Sequence, residues 1–216
     1  MKKYDFVLFD LDGTLTDPAA GITNSVVYSL QKFGIESPDM ATLYKFIGPP
    51  LHESYRKYFG FSDNEITMAI EYYREYFRKK GIFENTLYDG IADLLEALIQ
   101  SGKTLALATS KPDIFATDIL RHFGIEKYFS FSACATLDGA RTAKADVISY
   151  ALEAMEIKNK NAVIMIGDRE HDIIGANKNE IDSIGVLFGY GSREELENAG
   201  ASYIAETVED IKKILL

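Results

Sequence analysis

With 216 residues and 47% hydrophobic side chains, the chain can bury a full core as one large domain or as one domain carrying an insert. The formal charge of -10 excludes a nucleic-acid backbone or an anionic membrane as its main partner, because both would repel it. The single cysteine, Cys134, excludes an internal disulfide, no segment approaches the roughly 20 apolar residues of a membrane span, and Asp10 interrupts the apolar run that follows Lys2 and Lys3, so the expected location is cytoplasmic.

The first element is a short apolar run, Phe6-Val7-Leu8-Phe9, of the kind a parallel strand shows when both its faces are covered. It ends in Asp10-Leu11-Asp12-Gly13-Thr14-Leu15, which puts two acidic side chains where a parallel strand delivers its ligands. Residues 17–84 then read as consecutive amphipathic helices: Ala19 to Phe33, Asp39 to Phe46, Leu51 to Phe59, and Ser62 to Lys80. The last of these has Ser62 and Glu65 spaced as a capping box. The tyrosines of this stretch, spaced as helix faces, are read chiefly as packing residues, with base stacking as the rarer use.

From about residue 85 helical and strand patterns alternate, as in a parallel sheet with crossover helices. A helix over Asp89 to Gln100 is followed by a strand at Thr104 to Thr109, and Pro112 opens a helix that Gly124 closes. A strand near Phe129 to Ala133, a turn at Asp138-Gly139 and a helix from about Ala143 come next. The strand Ala162 to Ile166, a helix from about His171 to Asn177, strands at Ser183 to Leu187 and Ala201 to Ile204, and a terminal helix complete the pattern. The expected fold is an α/β Rossmann-like three-layer core over residues 1–16 and 85–216, with an all-helical cap domain inserted over residues 17–84.

Strand ends in such a sheet share one edge, so Asp10, Asp12, Thr109, Ser110 and Asp168 converge despite their separation, and Asp172 joins Asp168 one helical turn later. Crowded carboxylates in a crevice need positive charge, which a hard divalent cation and Lys144 supply; oxygen ligands without His or Cys favour Mg²⁺ over zinc. That combination suits a phosphate group. Asp10 at the strand tip is the expected nucleophile, since a carboxylate attacks phosphorus without a general base. Asp12 is the expected proton donor and acceptor. Thr109, Ser110 and Lys144 are assigned to the phosphate, and Asp10, Asp12, Asp168 and Asp172 to the metal, Asp172 directly or through an intermediary. Lys111 either reaches the phosphate or is an exposed lysine at a helix start. Gly189-Tyr190-Gly191 lacks the Lys-Ser/Thr of nucleotide-binding loops and reads as a strand-to-helix turn.

In this order the residues resemble the four motifs of the haloacid dehalogenase superfamily of phosphohydrolases: Asp10-x-Asp12-Gly13-Thr14, Thr109-Ser110, Lys144, and Gly167-Asp168-x-x-x-Asp172. The resemblance implies Mg²⁺-dependent phosphoryl transfer through an aspartyl-phosphate, with the main-chain oxygen of Asp12 on the metal and a mobile helical cap that excludes water. Gly48-Pro49-Pro50-Leu51 resembles the specificity loop of phosphoglycolate phosphatases and small 5'-nucleotidases, which implies substrate contacts at Gly48 and Pro49. Lys144-Ala145-Asp146-Val147-Ile148 resembles the 5'-nucleotidases; the wider family more often has proline at position 145.

Two other readings compete. A phosphomutase of the β-phosphoglucomutase type shares the four motifs but typically has a histidine soon after the first, and Ala20-Gly21-Ile22-Thr23-Asn24 contains none. A receiver-like phosphorylation module lacks an acid at the position of Asp12 and has no helical insert. The expected partner is therefore a small phosphorylated substrate, and the expected state is a monomer or weak homodimer.

Overall fold

The computed structural model describes residues 4–137 and 140–216; the turn expected at Asp138-Gly139 lies outside them. The chain divides into two compact units, residues 1–17 with 87–216 and residues 18–86.

The first unit is built on a six-stranded sheet in which every pairing is parallel. Its strands are β1 (Phe6–Phe9), β4 (Thr104–Pro112), β5 (Phe129–Ala135), β6 (Val163–Gly167), β7 (Asp182–Val186) and β8 (Tyr203–Ala205), in the spatial order β5-β4-β1-β6-β7-β8. The connecting helices are α5 (Ile91–Gln100), α6 (Asp113–His122), α7 (Lys144–Ala154), α8 (Glu170–Lys178), α9 (Arg193–Asn198) and α10 (Val208–Leu215). This is a Rossmann-like α/β core. Along the strands, Leu8, Ala106, Ala108 and Met165 face a core shared with Val147, Ile148 and Ala151 of α7 and Ala176 of α8. The alternation of strand side chains sends Val7, Phe9, Leu105, Leu107, Ile164 and Ile166, all fully buried, to the opposite face. Burial on both faces explains why these strands read as unbroken apolar runs. The order runs outward from β1 through β4 to β5, then resumes at β6 beside β1, so the switch in direction falls between β1 and β6. That is where an open α/β sheet binds its ligands.

Strand β4 extends to Pro112, past the expected end at Thr109. Its register against β5 shifts between Thr109 and Pro112, so Ser110 and Lys111 lie on this irregular extension, and α6 begins only at Asp113. Lys111 is therefore a strand-end residue; it is buried, which removes the reading of an exposed helix-start lysine.

The second unit contains α1 (Ala19–Gln31), α2 (Met40–Tyr44), α3 (Leu51–Phe59) and α4 (Asp63–Tyr76), and α4 continues into a wider π turn over Phe77–Gly81. The Ser62–Glu65 capping box is formed at the start of α4. Aromatic rings fill its interior: Phe46 meets Tyr55, Tyr58 and Phe59 at centroid distances of 5.1, 5.9 and 6.0 Å, and Tyr55 stacks on Phe61 at 5.8 Å. Tyr55 and Tyr73 are thus packing residues, as their spacing implied, while Tyr44 is exposed. A ribbon of two-residue strands, β2 (Thr16–Asp17) and β3 (Thr86–Leu87), lies where the chain passes from one unit to the other; strands this short leave no periodic signal in the sequence. Among the described residues no helix is long and apolar enough to cross a membrane.

Candidate active site

Asp10 follows β1 directly, and its amide donates to Ile166 O of the neighbouring β6 at 2.9 Å, which registers the end of β1 against the strand that leads to Asp168. Asp168 follows the last residue of β6. Asp172 sits in the first turn of α8, where its Oδ2 accepts from the Arg169 amide at 3.1 Å as part of the helix cap. One carboxylate oxygen from each of Asp10, Asp168 and Asp172 lies within 4.8 Å of the others, and all three residues are buried. Gly13, with φ of +85°, makes this approach possible: a Cβ there would stand 2.2 Å from Asp168 Oδ2.

Lys144 opens α7 and sends its ammonium into this cluster. Nζ lies 2.7 Å from Asp10 Oδ1 and 2.8 Å from Asp172 Oδ1, and donates to Ala108 O of β4 at 3.0 Å. Two carboxylates and one carbonyl oxygen thus surround the ammonium. Burial alone would lower the Lys144 ammonium, but Asp10 and Asp172 outweigh it and hold it above the usual lysine range. The reverse holds for Asp168, whose carboxyl is pushed well above the usual range by burial and then by Asp172 and Asp10. Burial also raises Asp172, against the pull of Lys144.

Three carboxylates against one ammonium leave a formal excess of two negative charges in a buried cluster. Asp168 Oδ1 is buried and accepts no hydrogen bond, whereas its Oδ2 accepts from the Tyr190 amide at 2.8 Å. An oxygen-only donor set with this charge deficit and an unpartnered buried oxygen fits a hard divalent cation.

Asp12 is not part of the three-carboxylate cluster. Its Oδ2 pairs with Lys111 Nζ at 2.6 Å, and its Oδ1 is buried without a hydrogen bond. This neutral pair was not expected from the sequence; the available signal was the basic residue directly after Thr109-Ser110. Thr109 is buried, with its hydroxyl accepting from the Lys111 amide at 3.2 Å, and Ser110 is half-buried beside it. Gly48 and Pro49 lie in the second unit, in the loop before α3, with Gly48 exposed. Cys134 is buried and its thiol is pushed up to about 12, chiefly by burial, so it behaves as a small apolar residue.

Gly189-Tyr190-Gly191 is the expected strand-to-helix turn, between β7 and α9, but its packing against Asp168 was not expected from the sequence. A Cβ on Gly189 would stand 2.4 Å from Asp168 Cβ, and one on Gly191 would stand 2.0 Å from Asp168 O. Between them, the Tyr190 amide holds Asp168 and the Tyr190 hydroxyl donates to Asp17 Oδ1.

Comparison with known proteins identifies the family. A family model described as haloacid dehalogenase-like hydrolase matches residues 7–186. The chain is 43% identical to a 5'-nucleotidase of Pseudomonas aeruginosa, over 99% of this chain and 96% of that protein. It is 39% identical to the tyrosine-protein kinase PtkA of Mycobacterium tuberculosis, over 97% of this chain and 72% of that protein. A phosphoglycolate phosphatase of Agrobacterium fabrum is 31% identical over 85% of this chain and 80% of its own length. The crystal structure of a predicted phosphatase from Clostridium acetobutylicum superposes with a TM-score of 0.94 at 54% identity, covering 98% of each chain.

Proposed function

The chain belongs to the haloacid dehalogenase-like hydrolase family and is a phosphatase, and from that premise we propose that it hydrolyses a small phosphomonoester through an aspartyl-phosphate on Asp10, with Mg²⁺ as the cation. The observation that carries this reading is the buried Asp10–Lys144–Asp172 bridge beside the unpartnered oxygen of Asp168. It supplies a nucleophile held in one orientation and a charge deficit of the size a divalent cation fills.

In this reading a carboxylate oxygen of Asp10 forms the new bond to phosphorus while the bond to the leaving oxygen breaks. Asp12 gives that oxygen its proton, then takes one from the water whose oxygen bonds to phosphorus as the bond from phosphorus to Asp10 breaks, which releases inorganic phosphate and restores the Asp10 carboxylate. The Lys111 pair fixes one oxygen of Asp12 and leaves Oδ1 for this exchange. Thr109, Ser110 and Lys144 hold the phosphoryl oxygens. Asp10, Asp168 and the main-chain oxygen of Asp12 would hold Mg²⁺, which when bound offsets the phosphate charge. Asp172, with one oxygen on Lys144 and the other on the Arg169 amide, orients the lysine.

The substrate class follows the relatives named 5'-nucleotidase and phosphoglycolate phosphatase: a nucleoside 5'-monophosphate or a phosphoglycolate-like ester. Gly48 and Pro49 are assigned to its recognition on sequence resemblance. The test is phosphate release from a panel of phosphoglycolate, nucleoside monophosphates, sugar phosphates and an aryl phosphate, with Mg²⁺ or with a chelator. Release should require Mg²⁺ and should fall at least about a thousandfold in Asp10→Asn. Turnover that survives in that variant or in chelator overturns the nucleophile or the metal, respectively. In Asp12→Ala the phosphorylated enzyme should accumulate; unchanged turnover would remove Asp12 from proton transfer.

A further inference from the structure

Asp168 is held by a loop from outside β1, α7 and α8. One of its oxygens is held and the other is left without a hydrogen bond, which is how a carboxylate must be set if it is to give a single oxygen to a cation. The holding group is a main-chain amide, so its position depends on what fixes the loop. Contacts from several segments do so. The backbone at Gly189 and Gly191 is pressed against Asp168 so closely that no Cβ fits at either position. Phe188 meets the ring of Tyr88 edge-on at a centroid distance of 5.1 Å. The Tyr190 hydroxyl reaches back to Asp17, a residue 173 positions earlier at the end of the β2 strand.

We propose that Tyr190 is a positioning residue for the cation site: its hydroxyl, anchored on Asp17, fixes its own amide, and that amide presents Asp168 with Oδ2 occupied and Oδ1 available. The inference rests on the reading of Asp168 as a cation ligand. Tyr190 touches neither substrate nor reacting atoms in this account. A displaced amide would free the Asp168 carboxylate to rotate and would weaken cation binding without removing any ligand.

The test is Mg²⁺ titration by calorimetry on the whole chain, alongside the Mg²⁺ dependence of turnover. Tyr190→Phe keeps the amide, the ring and the Tyr88–Phe188 contact, and should bind Mg²⁺ about tenfold more weakly, at the lower end of what losing an outer partner of a metal ligand costs. Its kcat should recover at high Mg²⁺, with the substrate KM unchanged there. Asp17→Ala should match it, Asp17→Asn, which keeps an acceptor for the hydroxyl, should restore binding, and the double variant Tyr190→Phe/Asp17→Ala should be no weaker than either single one. A Tyr190→Phe protein that binds Mg²⁺ as tightly as the parent overturns the inference even if its unfolding midpoint falls, and so do losses that add in the double variant. A parent chain that binds no Mg²⁺ overturns the metal reading and this one together; unaltered binding in the variant overturns this one alone.

Discussion

Replacing Asp168 by Asn should make the metal-free protein more stable while removing its activity. Asp168 is fully buried and faces two carboxylates against one ammonium, with carboxylate oxygens within 4.8 Å. At an effective dielectric constant of about 20, two like charges at that separation repel by about 3 kcal/mol. Lys144 cancels roughly one of the two repulsions, and relaxation reduces what is left, so the amide should gain about 2 kcal/mol. For a chain of this length that raises the unfolding midpoint by about 4–8 °C. The pH dependence has a definite sign. Burial, Asp172 and Asp10 raise the folded-state pKa of Asp168 above its unfolded value, so the folded state holds the proton more tightly and loses stability as pH rises between the two values. The advantage of Asn should therefore be absent in acid below the ordinary carboxylate range and grow on the way to alkaline pH. Thermal unfolding in chelator across that range measures it, and a parallel series in Mg²⁺ should reverse the order, because only the parent gains from the ion. A variant whose midpoint in chelator matches or falls below that of the parent at every pH would refute the charge accounting.

Lys144→Met should be costly in the opposite sense, since it leaves Asp10 and Asp172 without their shared ammonium; a loss of about 3–5 kcal/mol is expected, read as a lower denaturant midpoint and partly recovered by Mg²⁺. Gly191→Ala drives a Cβ to 2.0 Å from Asp168 O and should cost about 2 kcal/mol or more together with Mg²⁺ affinity; a calorimetric titration identical to that of the parent would mean that the loop yields without moving Asp168.

Asp10, Asp168 and Lys144 were legible in the sequence because chain topology alone assembles them. Each lies at the carboxyl end of a strand or the start of a crossover helix, and parallel strands bring those ends to one edge. The helical character of residues 19–80 was legible from periodicity, and the Ser62–Glu65 box from its spacing. The Lys111–Asp12 pair was not, because it depends on β4 running past its regular register with β5, a backbone irregularity with no residue signature. Nor was the Asp17–Tyr190 bond, whose partners are 173 positions apart. The roles of Gly189 and Gly191 were hidden for a different reason. A glycine that admits a turn and a glycine that admits a neighbouring backbone look the same until the neighbour is known.

Glycines from two remote segments enclose Asp168: Gly13 on the loop after β1, and Gly189 and Gly191 after β7. For anyone diversifying this scaffold toward new esters, that enclosure divides the loops into separate allowances. A library that randomises residues 189–191 would return survivors with the outer two positions unchanged, and one that randomises position 13 would return nothing but the parent. No compensating change elsewhere can make room, because what occupies the space at each point is Asp168 itself or main chain. New chemistry in this half of the protein would have to be introduced between those fixed points; the middle position of the Gly-Tyr-Gly turn does carry a side chain, but a change there gives up the anchor of the Tyr190 hydroxyl on Asp17.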